Sequence, residues 1–199
     1  SSDLSVPSDS PACTIAAILL AGGQSRRFGG AKLTAPLAGR PLGLHAAERL
    51  RALDLPINIA VCGPDVPDYA ALGFACVPLD PPGAPQSRSL ALGVGAARAA
   101  GADAVLIALA DMPLVPEAHL RALLAGFDGR SIGTRVAGQI MPPALFGGEL
   151  LDQLARLSGD QGARAILADA PTVELAAELA IDVDTPDDLR RAGGLDRAR

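Results

Sequence analysis

Four short hydrophobic runs constrain this 199-residue chain more than any other feature: TIAAILLA (Thr14 to Ala21), INIAVC (Ile57 to Cys62), FACVPL (Phe74 to Leu79) and DAVLIALA (Asp103 to Ala110). Each lacks the apolar-polar alternation of a half-solvated strand. Apolar on both faces and bounded by turn signals, they read as strands buried between two helical layers. The stretches between them are helical in pattern. Pro41 opens PLGLHAAERLRAL, Ser87 or Ser89 is a candidate cap for LALGVGAARAAG, and Pro116 opens PEAHLRALLAGF. Pro186 opens PDDLRRAGG, with acids in its first turn and arginines in its last, matching the helix dipole. Alternating strand and helix predict an α/β fold, a doubly wound, mostly parallel sheet whose ligands sit at the carboxyl ends of the strands.

After Phe127 the rhythm changes. SIGTRV and GQIMPPALF read as short strands, and Pro142 with Pro143 predicts that the second lies at an edge or ends early. This region is expected to add a lid or an acceptor wall. A hydrophobic fraction of 49% suffices for one continuous core, so the expected organisation is an N-terminal tail (1–13), one domain (14–194) and a short C-terminal tail (195–199). The opening SSDLSVPSDSPA has neither the apolar nor the basic region of a targeting segment, and no run of about 18 apolar residues suits a membrane span. A net charge of -5 and 3% aromatic residues supply neither the basic footprint nor the stacking platform of a nucleic-acid binder. The expected ligand is small. Cys13, Cys62 and Cys76 show no C-x-x-C spacing, which argues against a disulfide framework or thiolate zinc site and fits a reducing cytoplasm.

The stretch ILLAGGQSRRFGGAKL (Ile18 to Leu33) carries the chemistry. Gly22 and Gly23 follow a strand and let backbone N-H groups approach a ligand. The dinucleotide pattern G-x-G-x-x-G is absent, and the P-loop pattern fails because Lys32 follows Ala31 and precedes Leu33. What remains is a third kind of phosphate loop: L-A-G-G, then Ser25, Arg27, Gly29 and Lys32. Cationic donors on such a loop can wrap a triphosphate and neutralise charge on the departing pyrophosphate. Lys32 is the one lysine among 17 basic residues, so a compact point charge is retained there in a chain biased to arginine. The competing reading is an ordinary strand-helix turn with a solvated lysine, and Arg26 reads as a solvated surface charge.

LAGGQSRRFGGAK resembles the signature of nucleotidyltransferases built on a single Rossmann-like domain, most closely the molybdenum cofactor guanylyl- and cytidylyltransferases. The similarity runs from Thr14 to about Leu189, with Phe28 where the family usually has methionine. It implies a nucleotidyltransferase-type sheet with Leu20, Ala21, Gly22, Gly23, Ser25 and Lys32 at the nucleotide.

Two further segments offer carboxylates. LIALADMPLV places Asp111 after a strand, where it can hold Mg²⁺ against phosphates, since that ion binds through one or two carboxylates plus phosphate oxygens. Its competing role is to cap the Pro116 helix. AIDVDTPDDL offers Asp182 and Asp184 two apart, hence on the same side of a strand, although Asp184 could also cap the last helix. The resemblance implies metal at Asp111 and favours Asp184 over Asp182 as its second ligand. The expected reaction is in-line attack by an acceptor phosphate on the α-phosphorus, with Asp111, Lys32 and Arg27 as the catalytic set. A phosphate nucleophile is already ionised, so His45 and His119 need no role and read as surface histidines.

The family places nucleotide contacts in PLDPPGAPQSRSLALG, which implies roles for Asp80 and Ser89; capping is the other reading of Ser89. QSRSLALG resembles the cytidylyl branch, as does LSGDQGARAIL, while Gly22 is the guanylyl form and would admit a bulkier base edge. CTP leads GTP narrowly. Asp160 and Arg164 in SGDQGAR are candidates for an acceptor-facing loop, or else a plain helix connection. MPPALF matches the family's acceptor segment in part, with Met141 where histidine is frequent. The expected activity is therefore Mg²⁺-dependent transfer of a nucleoside monophosphate to a phosphate-bearing acceptor, molybdopterin by resemblance, with a molybdoenzyme or its chaperone as a further partner. A guanylyltransferase, a sugar-phosphate-type transferase and a silent nucleotide-binding or cofactor-chaperone module are the alternatives.

Overall fold

The sheet is built outward from β1 (Ile15–Ala21), which pairs in parallel with β4 (Ile57–Cys62) on one side and β6 (Ala104–Leu109) on the other. A computed structural model describes residues 13–23, 27–159 and 162–197. β5 (Ala75–Pro78) adds in parallel to β4. Beyond β6 the direction reverses: β8 (Gln139–Gly147) pairs antiparallel with both β6 and β7 (Ser131–Val136), and β9 (Thr172–Glu174) closes that edge in parallel with β7. The seven-stranded order is β5-β4-β1-β6-β8-β7-β9, and β2 (Pro36–Leu37) with β3 (Arg40–Pro41) forms a separate two-stranded ribbon.

Period-two alternation sends β1 side chains into two cores. Ala17, Leu19 and Ala21 meet Leu42 and Leu50 of α1 (Leu42–Arg51) and Leu120 and Leu123 of α3 (Glu117–Gly126). Ala16, Ile18 and Leu20 meet Leu90 and Val94 of α2 (Gln86–Ala99) and Leu150 and Leu154 of α4 (Leu150–Arg156). A strand so placed must be apolar throughout, which is why TIAAILLA looked as it did. No described helix is long and apolar enough to cross a membrane.

Several expectations need correction. β5 is an edge strand with Ala75, Cys76 and Pro78 exposed; the buried residues of FACVPL are its flanks, Phe74 and Leu79. α2 begins at Gln86 behind Pro85, so Ser87 and Ser89 are helical and cap nothing. Ser87 Oγ instead donates to the Gly159 carbonyl at 2.7 Å. β8 is neither at an edge nor short, despite its prolines. A register shift pairs Gly133 with Ala144 and Thr134 with Met141, leaving Pro142 and Pro143 outside the ladder, where their missing N-H groups cost nothing. The final helix α5 (Pro186–Arg197) runs into the segment expected as a C-terminal tail, with Leu195 packed on the core.

His119 is buried, not a surface residue. The Thr134 hydroxyl donates to the Pro143 carbonyl at 2.7 Å, so its remaining contact at 2.8 Å is one in which neutral His119 donates from Nε2. Burial lowers the His119 pKa below the ordinary range. His45 is half-buried, its Nε2 at 3.0 Å from the Leu37 carbonyl.

α2 lies so close to β1 that a Cβ at Gly93 would stand 2.7 Å from Ile18 Cγ2 and 3.2 Å from Val61 Cγ2. At Gly95, one turn-face away, a Cβ would meet nothing within 4 Å. Gly93→Ala should therefore destabilise the fold by about 1–3 kcal/mol, whereas Gly95→Ala should stabilise it by roughly 0.5–1 kcal/mol through helix propensity. Denaturant melts of both variants check this; equal shifts would mean that α2 does not sit on β1 in this register.

Candidate active site

The site begins where the β1–β6 ladder ends. Ala110 N-H donates to the Leu20 carbonyl at 3.0 Å, extending the parallel pairing one residue past β6 and standing Asp111 over the carboxyl edge. The Asp111 carbonyl then accepts from Val183 N-H at 3.0 Å. Ile181 and Val183 are buried, so the intervening and following residues, Asp182 and Asp184, turn the other way. Residues 181–184 form no strand of the sheet; they are an extended segment tied to Asp111 by that bond. One carboxylate oxygen from each of Asp111, Asp182 and Asp184 lies within 4.8 Å of the others.

The competing capping roles disappear. α3 has Pro116 at its cap and no side-chain cap bond, which leaves Asp111 out of it. At α5, Asp188 Oδ2 accepts from Thr185 N-H at 3.0 Å while Thr185 Oγ1 accepts from Asp188 N-H at 3.2 Å, a reciprocal cap that does not use the Asp184 carboxylate. Arg49 of α1 donates to the Pro113 carbonyl and to the Val115 carbonyl, the latter at 2.7 Å, and so pins the loop that follows Asp111.

Lys32 opens a short 3-10 turn, Lys32–Thr34, in which Thr34 Oγ1 donates to the Ala31 carbonyl and Leu33 enters the core. The turn buries Lys32 and aims Nζ at the acids, 2.8 Å from Asp111 Oδ2 and 3.1 Å from Asp184 Oδ1. Burial alone would lower its pKa, but Asp111 and then Asp184 and Asp182 outweigh that and hold the ammonium above its ordinary range. Arg27 is mostly exposed, with Nη1 3.3 Å from Asp184 Oδ2, a contact of the weak surface kind. Asp182 is exposed as a residue, yet loss of hydration at its carboxyl, with Asp111 and Asp184 adding and Lys32 opposing, pushes it up to about 7.

Two cavities adjoin this cluster. The larger, about 490 Å³, is lined by Leu20, Gln86, Ser89, Asp111 and Asp182 among others; the smaller, about 290 Å³, by Ala21, Lys32, Asp65 and Pro82. Gly22, Gly23 and Gly83 line both and divide them. A Cβ at Gly22 would be 2.6 Å from Leu79 Cδ2 and 3.1 Å from Ser89 Oγ. The room expected there for a base edge is thus already filled by Leu79 and Ser89. Ser89 is buried and lines the larger cavity.

Of the expected site residues, Lys32, Arg27, Asp111 and Asp184 meet in one cluster, and Leu20, Ala21, Gly22, Gly23 and Ser89 line the cavities. Asp80 is exposed on the loop before Pro82 and lines neither cavity; its carbonyl accepts from Arg88 Nε at 3.2 Å. Arg164 is exposed, donating to Gln139 Oε1 at the start of β8 and not joining the acids. Ser25 and Asp160 lie outside the described residues. The resemblance favours Asp184 over Asp182, yet I-D-V-D alternation turns both acids the same way and the structure brings both into the cluster. Arg49 carried no sequence signal beyond its place in an amphipathic helix.

The Asp182 shift gives a pH test. Its folded pKa lies above the unfolded value of about 3.9, so between roughly pH 4 and 7 the native state holds more protons than the unfolded chain and loses stability as pH rises. Asp182→Asn cannot titrate. In chelator-treated buffer its stability relative to the parent should grow across that window and level off above it; parallel pH profiles would show that the carboxyl is ordinary.

The MobA-like NTP transferase domain family matches residues 17–176, a span that includes Lys32 and Asp111 and stops before Asp182. Purine catabolism protein PucB of Bacillus subtilis is 28% identical, over 88% of this chain and 95% of that protein. The molybdenum cofactor guanylyltransferase of Rhodobacter capsulatus is 34% identical, over 89% of this chain and 94% of its own length. Among solved structures, Rv0371c of Mycobacterium tuberculosis H37Rv in complex with manganese superposes with a TM-score of 0.66 at 24% identity, covering 89% of this chain and 97% of that one. With a sheet of that kind and its glycine loop, lysine and acid at one edge, this chain belongs to the MobA-like NTP transferase family.

Proposed function

We propose that the protein transfers a nucleoside monophosphate from a nucleoside triphosphate to a phosphate-bearing acceptor, releasing pyrophosphate, and that the acceptor is molybdopterin. The observation that carries this reading is the cluster of Lys32 with Asp111 and Asp184 at the carboxyl edge, beside a cavity floored by Gly22 and Gly23. The molybdopterin assignment is supported by the Rhodobacter capsulatus relative. A reducing, cytoplasmic setting accords with the three free cysteines.

In this reading an acceptor phosphate oxygen forms the new bond to the α-phosphorus, and the bond to the β-phosphate oxygen breaks with its electron pair leaving on pyrophosphate. The nucleophile is ionised near pH 7, so no side chain need take a proton. Backbone N-H groups of the Gly22–Gly23 loop approach the phosphates, and Lys32 with Arg27 balances the charge that moves to the leaving group. Three carboxylate oxygens are the hard donors that Mg²⁺ or Mn²⁺ prefers, and Asp111, Asp182 and Asp184 would hold it. Bound there, it would supply Lewis-acid stabilisation of the phosphate oxygens.

CTP is the first choice of nucleotide. The QSRSLALG and GDQGAR runs resemble the cytidylyl branch. GTP is the second, because the curated relative is a guanylyltransferase.

Thermal melts with CTP and GTP, each with and without Mg²⁺, test the base and the metal together, since a ligand at 100 times its Kd adds about 2.7 kcal/mol of apparent stability. A larger shift with CTP that grows with Mg²⁺ is expected. Pyrophosphate release with molybdopterin should then fall by at least about 100-fold in Asp111→Asn and Lys32→Ala, with circular dichroism unchanged. Binding without pyrophosphate release from any acceptor would instead favour a silent nucleotide-binding module.

A further inference from the structure

We infer that Lys32 and a divalent cation are alternative occupants of the same carboxylate oxygens, so that entry of the cation releases the lysine ammonium toward the nucleotide's phosphates. The inference rests on the metal reading given above and concerns what Lys32 does to it. Lys32 Nζ donates to Asp111 Oδ2 at 2.8 Å and to Asp184 Oδ1 at 3.1 Å, and the third carboxylate, Asp182, lies within 4.8 Å of both acids. The ammonium therefore sits on two of the three carboxylates that a bound cation would need. Two positive centres cannot share that space at low cost, because their repulsion grows as water is excluded and Lys32 is buried.

Lys32 is built to leave. Leu33 holds the backbone in the core, while the ammonium ends a flexible four-carbon stem. The smaller cavity is lined by Lys32 together with Gly23 and Gly30, so the displaced group has room beside the glycine loop. Arg27 is the internal contrast. It contacts Asp184 Oδ2, not the oxygen that Lys32 holds, and does so from an exposed position without touching Asp111. By linkage, whatever draws Lys32 away raises cation affinity, and the cation raises affinity for whatever draws Lys32 away.

Mn²⁺ titration followed by electron paramagnetic resonance, without nucleotide, tests this on the parent protein, Lys32→Met and Arg27→Met. Removing the competitor should tighten Mn²⁺ binding by about tenfold in Lys32→Met, while Arg27→Met should stay within about threefold of the parent. Equal or weaker binding in Lys32→Met overturns the inference and leaves the metal site standing; an equal gain in both variants reduces it to general charge and also overturns it. Binding by neither parent nor Lys32→Met overturns this inference together with the metal reading. Should Lys32→Met fail to fold, the parent suffices. Lys32 is the one lysine in the chain, so ¹³Cε-lysine labelling yields one lysine resonance, which should pass from restrained to mobile as Mg²⁺ saturates the site. A resonance that stays restrained at saturation overturns the inference.

Discussion

Three carboxylates crowded onto one edge of a sheet repel one another unless a cation stands among them, and that constraint organises the region around Asp111. Lys32 meets it from the β1 side by way of a turn that buries its stem and presents its charge. The acids are fixed by unlike devices: a ladder bond carried past β6, a backbone bond from Val183, a reciprocal cap at Thr185 and Asp188, and a guanidinium from α1 on the carbonyls beyond Asp111. None of these engages the carboxylates of Asp111, Asp182 or Asp184, so the backbone is fixed without using them, and Lys32 and Arg27 take the contacts on Asp111 and Asp184. A like-charge cluster held this way stores no function in any single residue; it stores it in the separation between segments far apart in the chain.

The parallel half of the sheet was legible because burial on both faces leaves a mark that no other environment leaves. β1, β4 and β6 follow it closely. β5 lacks that burial although FACVPL has the same apolar look, because a short apolar run is alike at an edge and at a centre. The antiparallel half was less legible for a physical reason: Pro142 and Pro143 exclude a regular ladder, but a register shift between Gly133 and Thr134 removes them from it, and no local signal in β8 announces a shift located in β7. His119 reads as a surface residue for the same reason: Thr134, which its ring contacts, and Pro143, whose carbonyl takes the Thr134 hydroxyl, lie on other elements. In the site, glycines, lysine and Asp111 stood out by type and position. The proximity of Asp182 to Asp111, and the closeness of Leu79 and Ser89 to Gly22, depend on contacts between segments distant in sequence.

The two halves of the sheet also divide the chemistry. Glycine loop, lysine and Asp111 belong to the parallel strands, whose carboxyl ends meet in one place by construction. β8 runs the other way, so it is its beginning, Gln139 to Met141, that reaches the same edge. There Gln139 takes the Arg164 guanidinium, and the neighbouring Gly162 packs against Gln86 of α2. If the proposed transfer is right, this antiparallel wall can vary without disturbing the acids, and a fold by itself does not fix its acceptor.

Among the described residues no strand lies beyond β5, and an unpaired edge invites a second chain to add a strand. Leu79 N-H donates inward to the Cys62 carbonyl. Successive residues of a strand alternate in direction, so the nitrogen of Pro78 faces outward, where it has no hydrogen to offer. The edge is thus blunted at the position where an incoming strand would seek a donor, and β5 is only four residues long. At this edge the sheet offers a neighbouring chain little to extend.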